Sequence, residues 1–410
     1  MLPEGWQSLF LGDVFNFKNG LNGEKSLYGA GAKFVNVMDV FRGPRLRHSE
    51  IVGEMAVSPR QLAEFAVKQG DVLFNRTSET DDEIALSTVY LDTAPAVFGG
   101  FVIRARPSGK ALDQDFCIYG FQADSIRREM IRRGQGAIRS NIGQADLATV
   151  PILLPPLPEQ RKIAEILSTW DAAIDAQERL IANAKRQKKA LVQTLLPTGA
   201  HPPKKRLPGF SGDWREIKLR ELGRCYNGVT YAPADVIDGD GLLILRSSNV
   251  QNGRLDFADT VFVKPNVKTS CLTREGDILI CVRNGSRNLI GKTARITFDA
   301  TGHAHGAFMS LFRSTEPDFA YHLFKSHAYE QQVKRNLGAT INSINTSDLH
   351  DFRFLVPPKP ERARIAEILS ANDCEIEQHE KLLLGICLQK SALMQQLLTG
   401  KRRVKVEELV

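Results

Sequence analysis

Apolar residues recur in alternating steps of four and three along two stretches of this chain. In the first, Ile163, Leu167, Trp170, Ile174, Gln177, Ile181, Ala184, Lys188, Leu191 and Leu195 share one stripe. In the second, the stripe runs Ile365, Leu369, Asn372, Ile376, His379, Leu383, Ile386, Lys390, Leu393 and Leu397. Such steps average 3.5 residues, the period of a coiled-coil seam, so each stretch predicts a long helix with one packing edge. The preceding PPLPEQ and PPKPER suit first turns, where the donor that proline lacks is not needed. Pro197 with Gly199, and Gly400 in the second stretch, supply the stops. At 1.5 Å per residue, about 33 residues make a rod of roughly 50 Å. Two packings satisfy these seams: each helix on its own domain, or the two helices on each other. Polar residues at matching heights, Gln177 with His379 and Lys188 with Lys390, favour the second, as groups that set register.

The stripes belong to a longer repeat. PPLPEQRKIAEILSTW at 155–170 returns as PPKPERARIAEILSAN, 202 positions later. The match continues through Asp171 and Asp373, Ile174 and Ile376, Glu178 and Glu380, and the closing leucine pairs Leu195-Leu196 and Leu397-Leu398. Upstream it is fainter. Trp6, Leu11 and Asn19-Gly20 are echoed by Trp214, Leu219 and Asn227-Gly228, and GDVLF from Gly70 by GDILI from Gly276. The chain is thus two copies of one unit, each a globular domain followed by a long helix. The expected order is a first domain (1–157), a central helix (158–197), a linker (198–212), a second domain (213–357), a C-terminal helix (358–400) and a tail (401–410). Proline in PTGAHPPKKRLPGFSG makes a stiff linker that turns the chain back, so the helices are expected to run antiparallel with the globular domains at opposite ends.

Each globular domain mixes short β-branched runs with a few helices, which predicts an α/β (mixed α+β) fold. The runs are Lys33–Val37, Val72–Phe74 and Phe101–Arg104, then Leu242–Leu245, Asp277–Val282, Thr293–Phe298 and Phe352–Val356. Helices are expected over Ala123–Arg133 and Phe319–Leu337. The loops between them carry groups that bind nucleic acid. In the second domain these are Arg246, Ser247 and Asn249; Arg283, Asn284, Ser286, Arg287 and Lys292; and Asn342 and Asn345. In the first they are Lys18 and Asn19; Arg76, Thr77 and Ser78; and Arg139 and Asn141. Arginine pairs two donors with guanine, asparagine bonds adenine, and serine, threonine and lysine suit phosphates. Taken singly, Asn, Ser and Gly in such loops are explained by turn formation.

Composition sharpens this only modestly. With 42% hydrophobic and 25% charged residues the chain is an ordinary globular protein with room for two cores. A net charge of +7 fits a polyanion partner without requiring one. Six cysteines form no C-x-x-C pair and read as reduced structural residues. His303 and His305 stand two apart with no carboxylate or cysteine at ligand spacing, so a metal pair is the weaker reading. There is no secretory signal at MLPEGWQSLF and no apolar run long enough for a bilayer, so the expected location is cytoplasmic, with no membrane partner. Catalytic signatures are missing as well. No phosphate loop, Asn/Asp-Pro-Pro-aromatic tetrad, G-x-S-x-G elbow or H-E-x-x-H helix occurs. Gly29-x-Gly31 and Gly239-x-Gly241 lack a strand-to-helix setting. The acidic run Asp81, Asp82 and Glu83 reads as a solvated loop rather than a metal site. The chain is expected to bind rather than catalyse.

The twin P-P-x-P-E-Q/R-x-x-I-A-E-I-L-S helices, each trailing a variable domain, resemble the specificity subunit of type I restriction-modification systems. The second domain adds GVTYAPADV, LRSSNVQNGRL, GDILICVRNGSRNLIGK and HGAFMSLFRS; the first adds GWQSLFLGDVFNFKNG and FVNVMDV. Arg362, where the first copy has Gln160, departs from the pattern. The resemblance implies a non-catalytic subunit in which each domain reads half of a bipartite, asymmetric target in double-stranded DNA. The antiparallel helix pair would fix the unread spacer. It further implies two methyltransferase subunits and motor-nuclease subunits as partners, with S-adenosylmethionine, ATP and Mg bound by those partners and no cofactor in this chain. By the family's loop positions, Arg246, Asn249, Arg283, Asn284, Ser286 and Arg287 are the foremost DNA contacts, followed by Arg76, Thr77, Arg139 and Asn141. A scaffold, or an orphan or anti-restriction relative that assembles partners without reading DNA, is the competing reading; an enzyme with a diffuse carboxylate site is a third.

Overall fold

A computed structural model of the chain describes residues 2–136, 139–197, 206–264, 271–337 and 342–406. Most of the expected linker, 198–205, lies outside the described residues, as do the last four residues of the tail. The fold is mixed α and β, and it divides into two compact units. The first takes Met1–Glu178 with Leu382–Val410, and the second takes Arg179–Lys381. The units therefore do not follow the chain as a domain plus its own helix. Each combines one globular domain with the start of one long helix and the end of the other.

In the first unit, Gln7–Phe10 pairs antiparallel with Pro151–Leu154, so the first and last strands of the domain close it just before the helix. Between them lie β1 (Phe15–Asn19), β2 (Arg45–Leu46), β3 (Val72–Asn75), β4 (Ser87–Tyr90) and β5 (Val102–Pro107), in the sheet order β1-β5-β3-β4-β2. The centre of this sheet is β3. All four of its residues are buried: the apolar Val72, Leu73 and Phe74, and the polar Asn75 that ends the strand. Helices α1 (Gln114–Gly120) and α2 (Asp124–Arg133) cover the sheet, and the long helix α3 spans Leu157–Leu195.

The second unit repeats the plan. Arg215–Lys218 pairs antiparallel with Arg353–Val356. Strands β6 (Gly223–Asn227), β7 (Ile278–Cys281), β8 (Thr293–Arg295) and β9 (Met309–Ser314) form an antiparallel sheet in the order β6-β9-β7-β8. The single helix expected over Phe319–Leu337 is two, α4 (Pro317–Leu323) and α5 (His327–Asn336). The break has a local cause: the Ser326 hydroxyl accepts from the Tyr329 amide and caps a new helix start. The second long helix, α6, spans Lys359–Leu398.

The seam residues are the ones withdrawn from water, and both packings weighed for them occur together. In the first unit, Ile163, Ala164 and Leu167 from the start of α3 join Leu397 and Leu398 from the end of α6 in the domain core. In the second, Leu195 and Leu196 from the end of α3 join Ile365, Ala366 and Leu369 from the start of α6. Within each unit the helix segments therefore run antiparallel, packed on each other and on the domain. Seam lysines close the pattern. Lys390 bonds Asp171 in the first unit and Lys188 bonds Asp373 in the second, the same pair formed twice by the repeat. Outside the seam, Leu382, Leu384 and Leu388 of α6 stay exposed. No helix among the described residues is long and apolar enough to cross a membrane.

Candidate nucleic-acid interface

In both units one cluster of candidate loops is built on the same strand pair. At its foot a buried aspartate grips an arginine through two parallel hydrogen bonds. Arg106 Nε and Nη2 reach Asp71 at 2.8 and 2.7 Å, and Arg313 reaches Asp277 at the same distances. Each guanidinium also donates to a backbone carbonyl, Ala66 or Leu272. The aspartate bonds hold both arginines above their already high pKa.

Above the fork, three segments converge by backbone bonds. The Arg76 amide donates to the Phe101 carbonyl at 2.8 Å, and the Ile142 amide to the Arg76 carbonyl at 3.0 Å. In the second unit, the Val282 and Arg283 amides donate to the Phe308 carbonyl at 3.0 and 3.1 Å, and Ile344 donates to Val282 at 2.8 Å. The loop after the central strand, the turn before β5 or β9, and the segment before the last short helix thus meet in each unit. This brings Arg76 and Thr77 together with Asn141, whose side chain accepts from the Thr77 hydroxyl at 2.8 Å. It likewise brings Arg283 and Asn284 together with Asn342, which donates to the Gly285 carbonyl.

The candidate residues differ in what their side chains already do. Arg283, Ser286, Arg287, Lys292, Asn342, Asn345, Arg139 and Asn141 are exposed. Arg283 lies over the Phe308 ring, 5.9 Å from its centroid. Asn284 donates to Ser247 Oγ and accepts from the Ser286 amide, which ties two candidate loops together. Arg287 donates to the Leu337 carbonyl, Arg139 pairs with Glu79, and Arg246 pairs with Asp259. Lys18 sits 2.9 Å from Glu64 and over the Phe65 ring, and Asn19 lies beside Gln144. Asn345 precedes the helix Thr346–Asp351 as its cap.

Two candidates are interior. Asn249 is fully buried: its oxygen accepts from the Arg246 amide, and its nitrogen donates to the Asp256 and Asp259 carbonyls. Ser78 is buried, donates to Glu83 and accepts from the Thr80 amide. Both shape loops from within and have no polar atom to offer a ligand. The acidic run has the same use, since Asp81 accepts from Ser140 and Glu83 from Ser78. Among the described residues no group of three or more His, Cys, Asp or Glu is arranged to hold a metal ion. Of the cysteines, burial pushes the Cys225 thiol up to about 12 and the Cys281 thiol up to about 11, which keeps both protonated and unreactive.

The loop reading passed over Phe101 and Phe308. Each stands at the tip of its turn with 65% and 57% of its surface exposed. The signal was present, because Gly99-x-Phe101 and Gly306-x-Phe308 repeat in the same place in the two copies.

Comparisons with known proteins agree across the whole chain. The type I restriction enzyme MjaVIII specificity subunit of Methanocaldococcus jannaschii is 23% identical over 417 residues, covering 98% of this chain and 94% of that protein. The EcoKI specificity subunit of Escherichia coli is 34% identical over 166 residues, 38% of this chain and 35% of that protein. The structure is similar to the S subunit of a type I restriction-modification system from M. genitalium, with a TM-score of 0.57, 16% identity, and 97% and 98% of the two chains covered. A chain from a structural study of type I system assembly and conformational transition gives a TM-score of 0.62 at 18% identity, covering 98% of this chain and all of that one. The family described as the type I restriction modification DNA specificity domain matches residues 3–186 and again 211–385. With one such domain in each half, the chain belongs to this family.

Proposed function

We propose that this chain is the target-reading subunit of a type I methyltransferase and restriction complex, acting in the cytoplasm and carrying out no chemistry itself. Each domain reads one half of a split, asymmetric sequence in double-stranded DNA. The antiparallel helices set the unread spacer; a helix of 39 residues rises about 58 Å, close to 17 base pairs of B-form duplex. The observation that carries this reading is the family match in both halves, laid on a loop cluster built twice from the same fork and turn. Within that cluster, Arg283, Asn284, Ser286, Asn342, Arg76, Thr77, Arg139 and Asn141 remain the DNA contacts. Arg246, Ser247, Arg287, Lys292, Asn345, Lys18 and Asn19 flank them; Asn249 and Ser78 act from within. Two methyltransferase subunits and motor-nuclease subunits assemble on the chain, and the exposed Leu382, Leu384 and Leu388 offer them apolar surface. S-adenosylmethionine, ATP and Mg belong to those partners, and this chain holds none of them.

The test is methylation-sensitive sequencing of DNA from cells expressing this chain with its methyltransferase subunit. The expected result is a two-part asymmetric adenine motif that disappears when this chain is omitted. A stable complex that leaves no motif would instead make the chain a scaffold.

A further inference from the structure

We propose that Phe101 and Phe308 are wedge side chains, one for each half-site, that insert against a base step of double-stranded DNA. The proposal rests on the target-reading role argued above and names contacts that polar pattern alone does not reveal.

The two phenylalanines hold equivalent positions. Val102 donates back to Gly99, and Met309 back to Gly306, so each phenylalanine is the third residue of a tight turn leading into β5 or β9. The two turns occupy the same place in both copies. A side chain at such a tip contributes little to folding, because most of its surface stays in water. A single exposed apolar residue needs no explanation. A ring retained at the same exposed tip in two domains whose surrounding loops differ does need one, and folding does not supply it.

The turns are also rigid. The Asn-Gly pair repeated between the copies is explained by these turns. A Cβ on Gly20 would lie 2.1 Å from the Gly99 carbonyl oxygen, and one on Gly228 would lie 2.0 Å from that of Gly306. Only glycine lets the preceding strand pass so close beneath the turn. The Leu21 and Val229 amides then donate to the Phe98 and His305 carbonyls at 2.8 and 2.7 Å. Clamped from below by this strand and from the side by the Arg76 or Val282 amide, the backbone that carries the ring is held in place, so the turn needs little ordering on binding.

The neighbouring loops are polar and basic. The loop bonded to each turn is polar: Arg76 and Thr77 follow the strand beside Phe101, and Arg283, Asn284 and Ser286 follow the strand beside Phe308. The Arg283 guanidinium lies over the Phe308 ring, 5.9 Å from its centroid, and the Arg76 amide donates to the Phe101 carbonyl. An aromatic tip beside an arginine-bearing loop matches a polyanion with stackable faces: phosphates meet the arginines while the ring meets the bases. A protein-docking surface would require contiguous apolar area.

The experiment uses the full chain in complex with its methyltransferase subunit and duplexes carrying the bipartite target found by sequencing. 2-Aminopurine replaces single bases through each half-site. The expected result is that Phe308→Ala and Phe101→Ala each lower specific affinity about tenfold or more. Each should also remove the fluorescence change at one step of its own half-site, with the other half-site, the salt dependence and the thermal unfolding unchanged. Phe308→Trp should keep the signal. Unchanged affinity and fluorescence in both alanine variants would overturn the proposal, as would variants that lose the methyltransferase subunit but keep the DNA signal. If the wild-type chain directs no methylation, the target-reading role itself fails, and that outcome is distinct from a wedge variant behaving as wild type.

Discussion

The places where each domain is mounted on its long helices are alike in backbone and unlike in chemistry. In the first unit, Tyr119 at the end of α1 donates to Asp171 at 2.6 Å, Arg45 reaches the same carboxylate at 2.8 Å, and Lys390 completes the cluster. In the second, the residue equivalent to Tyr119 is His322. It is fully buried and bonds Ser370 at 2.9 Å, leaving Asp373 to Lys188. About three turns earlier on the long helix the exchange goes the other way. Gln160, buried and neutral, accepts from the Asp113 amide and donates to the Ala111 and Pro155 carbonyls. Its counterpart Arg362 is buried and charged, paired through two bonds to Glu316 and set over the Phe319 ring. The aspartate–lysine pair between helices is kept in both units, while the groups between helix and domain have been replaced in matched sets. Helix register is thus a shared property, and the seating of each domain is its own.

The largest expected effect tests the matched sets. Arg362→Ala strands a largely buried Glu316 and should cost about 3–5 kcal/mol of stability. Gln160→Ala, which leaves one amide and two carbonyls short of a neutral partner, should cost about 1–3 kcal/mol. Denaturant unfolding read by hydrogen exchange assigns each loss to its unit: residues 317–323 and 359–372 for the first variant, 114–120 and 157–170 for the second. Restoring most of the stability with Arg362→Ala combined with Glu316→Gln would show that the stranded charge is the cause. Equal losses for the two single variants would end the distinction between a charged and a neutral mount.

A smaller effect separates the two aspartates. Asp171 takes hydrogen bonds from Lys390, Tyr119 and Arg45, whereas one oxygen of Asp373 has no hydrogen-bond partner among the described residues. Asp171→Asn should therefore cost about 2 kcal/mol and Asp373→Asn about 1 kcal/mol, each pair being partly open to water. If Asp373→Asn were the costlier, helix register rather than domain seating would dominate at this position.

How much of this was visible in the sequence follows from where the constraint lies. The seam was legible because its period is local and the repeat shows it twice; even its lysines pair as polar groups that fix register. That each long helix ends in the core of the other copy's domain was not legible, since no local pattern says which core takes Leu397 and Leu398. Arg362 stood out as a departure, but its partner Glu316 sits 46 residues upstream in a segment with no pattern of its own. The candidate loops were picked out by composition, which cannot separate the exposed Asn342 from the enclosed Asn249, because both are ordinary turn residues. Composition also passed over Phe101 and Phe308, since a search for polar donors discards rings.

The smallest expected effect separates the mounts by pH. Burial, reinforced by the nearby Lys188 charge, pushes the His322 ring from an ordinary 6.5 down to about 3, although Asp373 pulls the other way. The folded ring therefore stays neutral in mild acid, while the unfolded chain takes up a proton below pH 6.5. The stability this ring contributes is complete above pH 6.5 and falls below it, at up to about 1.4 kcal/mol per pH unit, until the folded value is reached. From pH 7 to 5.5 the second unit should lose about 1 kcal/mol. In the first unit, burial would raise Asp171, but the bonds from Lys390, Tyr119 and Arg45 outweigh it and hold the carboxyl below its usual 3.8. Its contribution is lost only as pH falls below the ordinary carboxylate range, so this mount should be unchanged at pH 5.5. Hydrogen exchange at pH 7 and 5.5, corrected for intrinsic rates, should show protection falling around residues 317–323 and holding around 114–120. His322→Gln should flatten the response, since an amide can keep the Ser370 bond without titrating. A loss of protection that survives His322→Gln would move the pH sensitivity to other groups and leave the two mounts equivalent in acid.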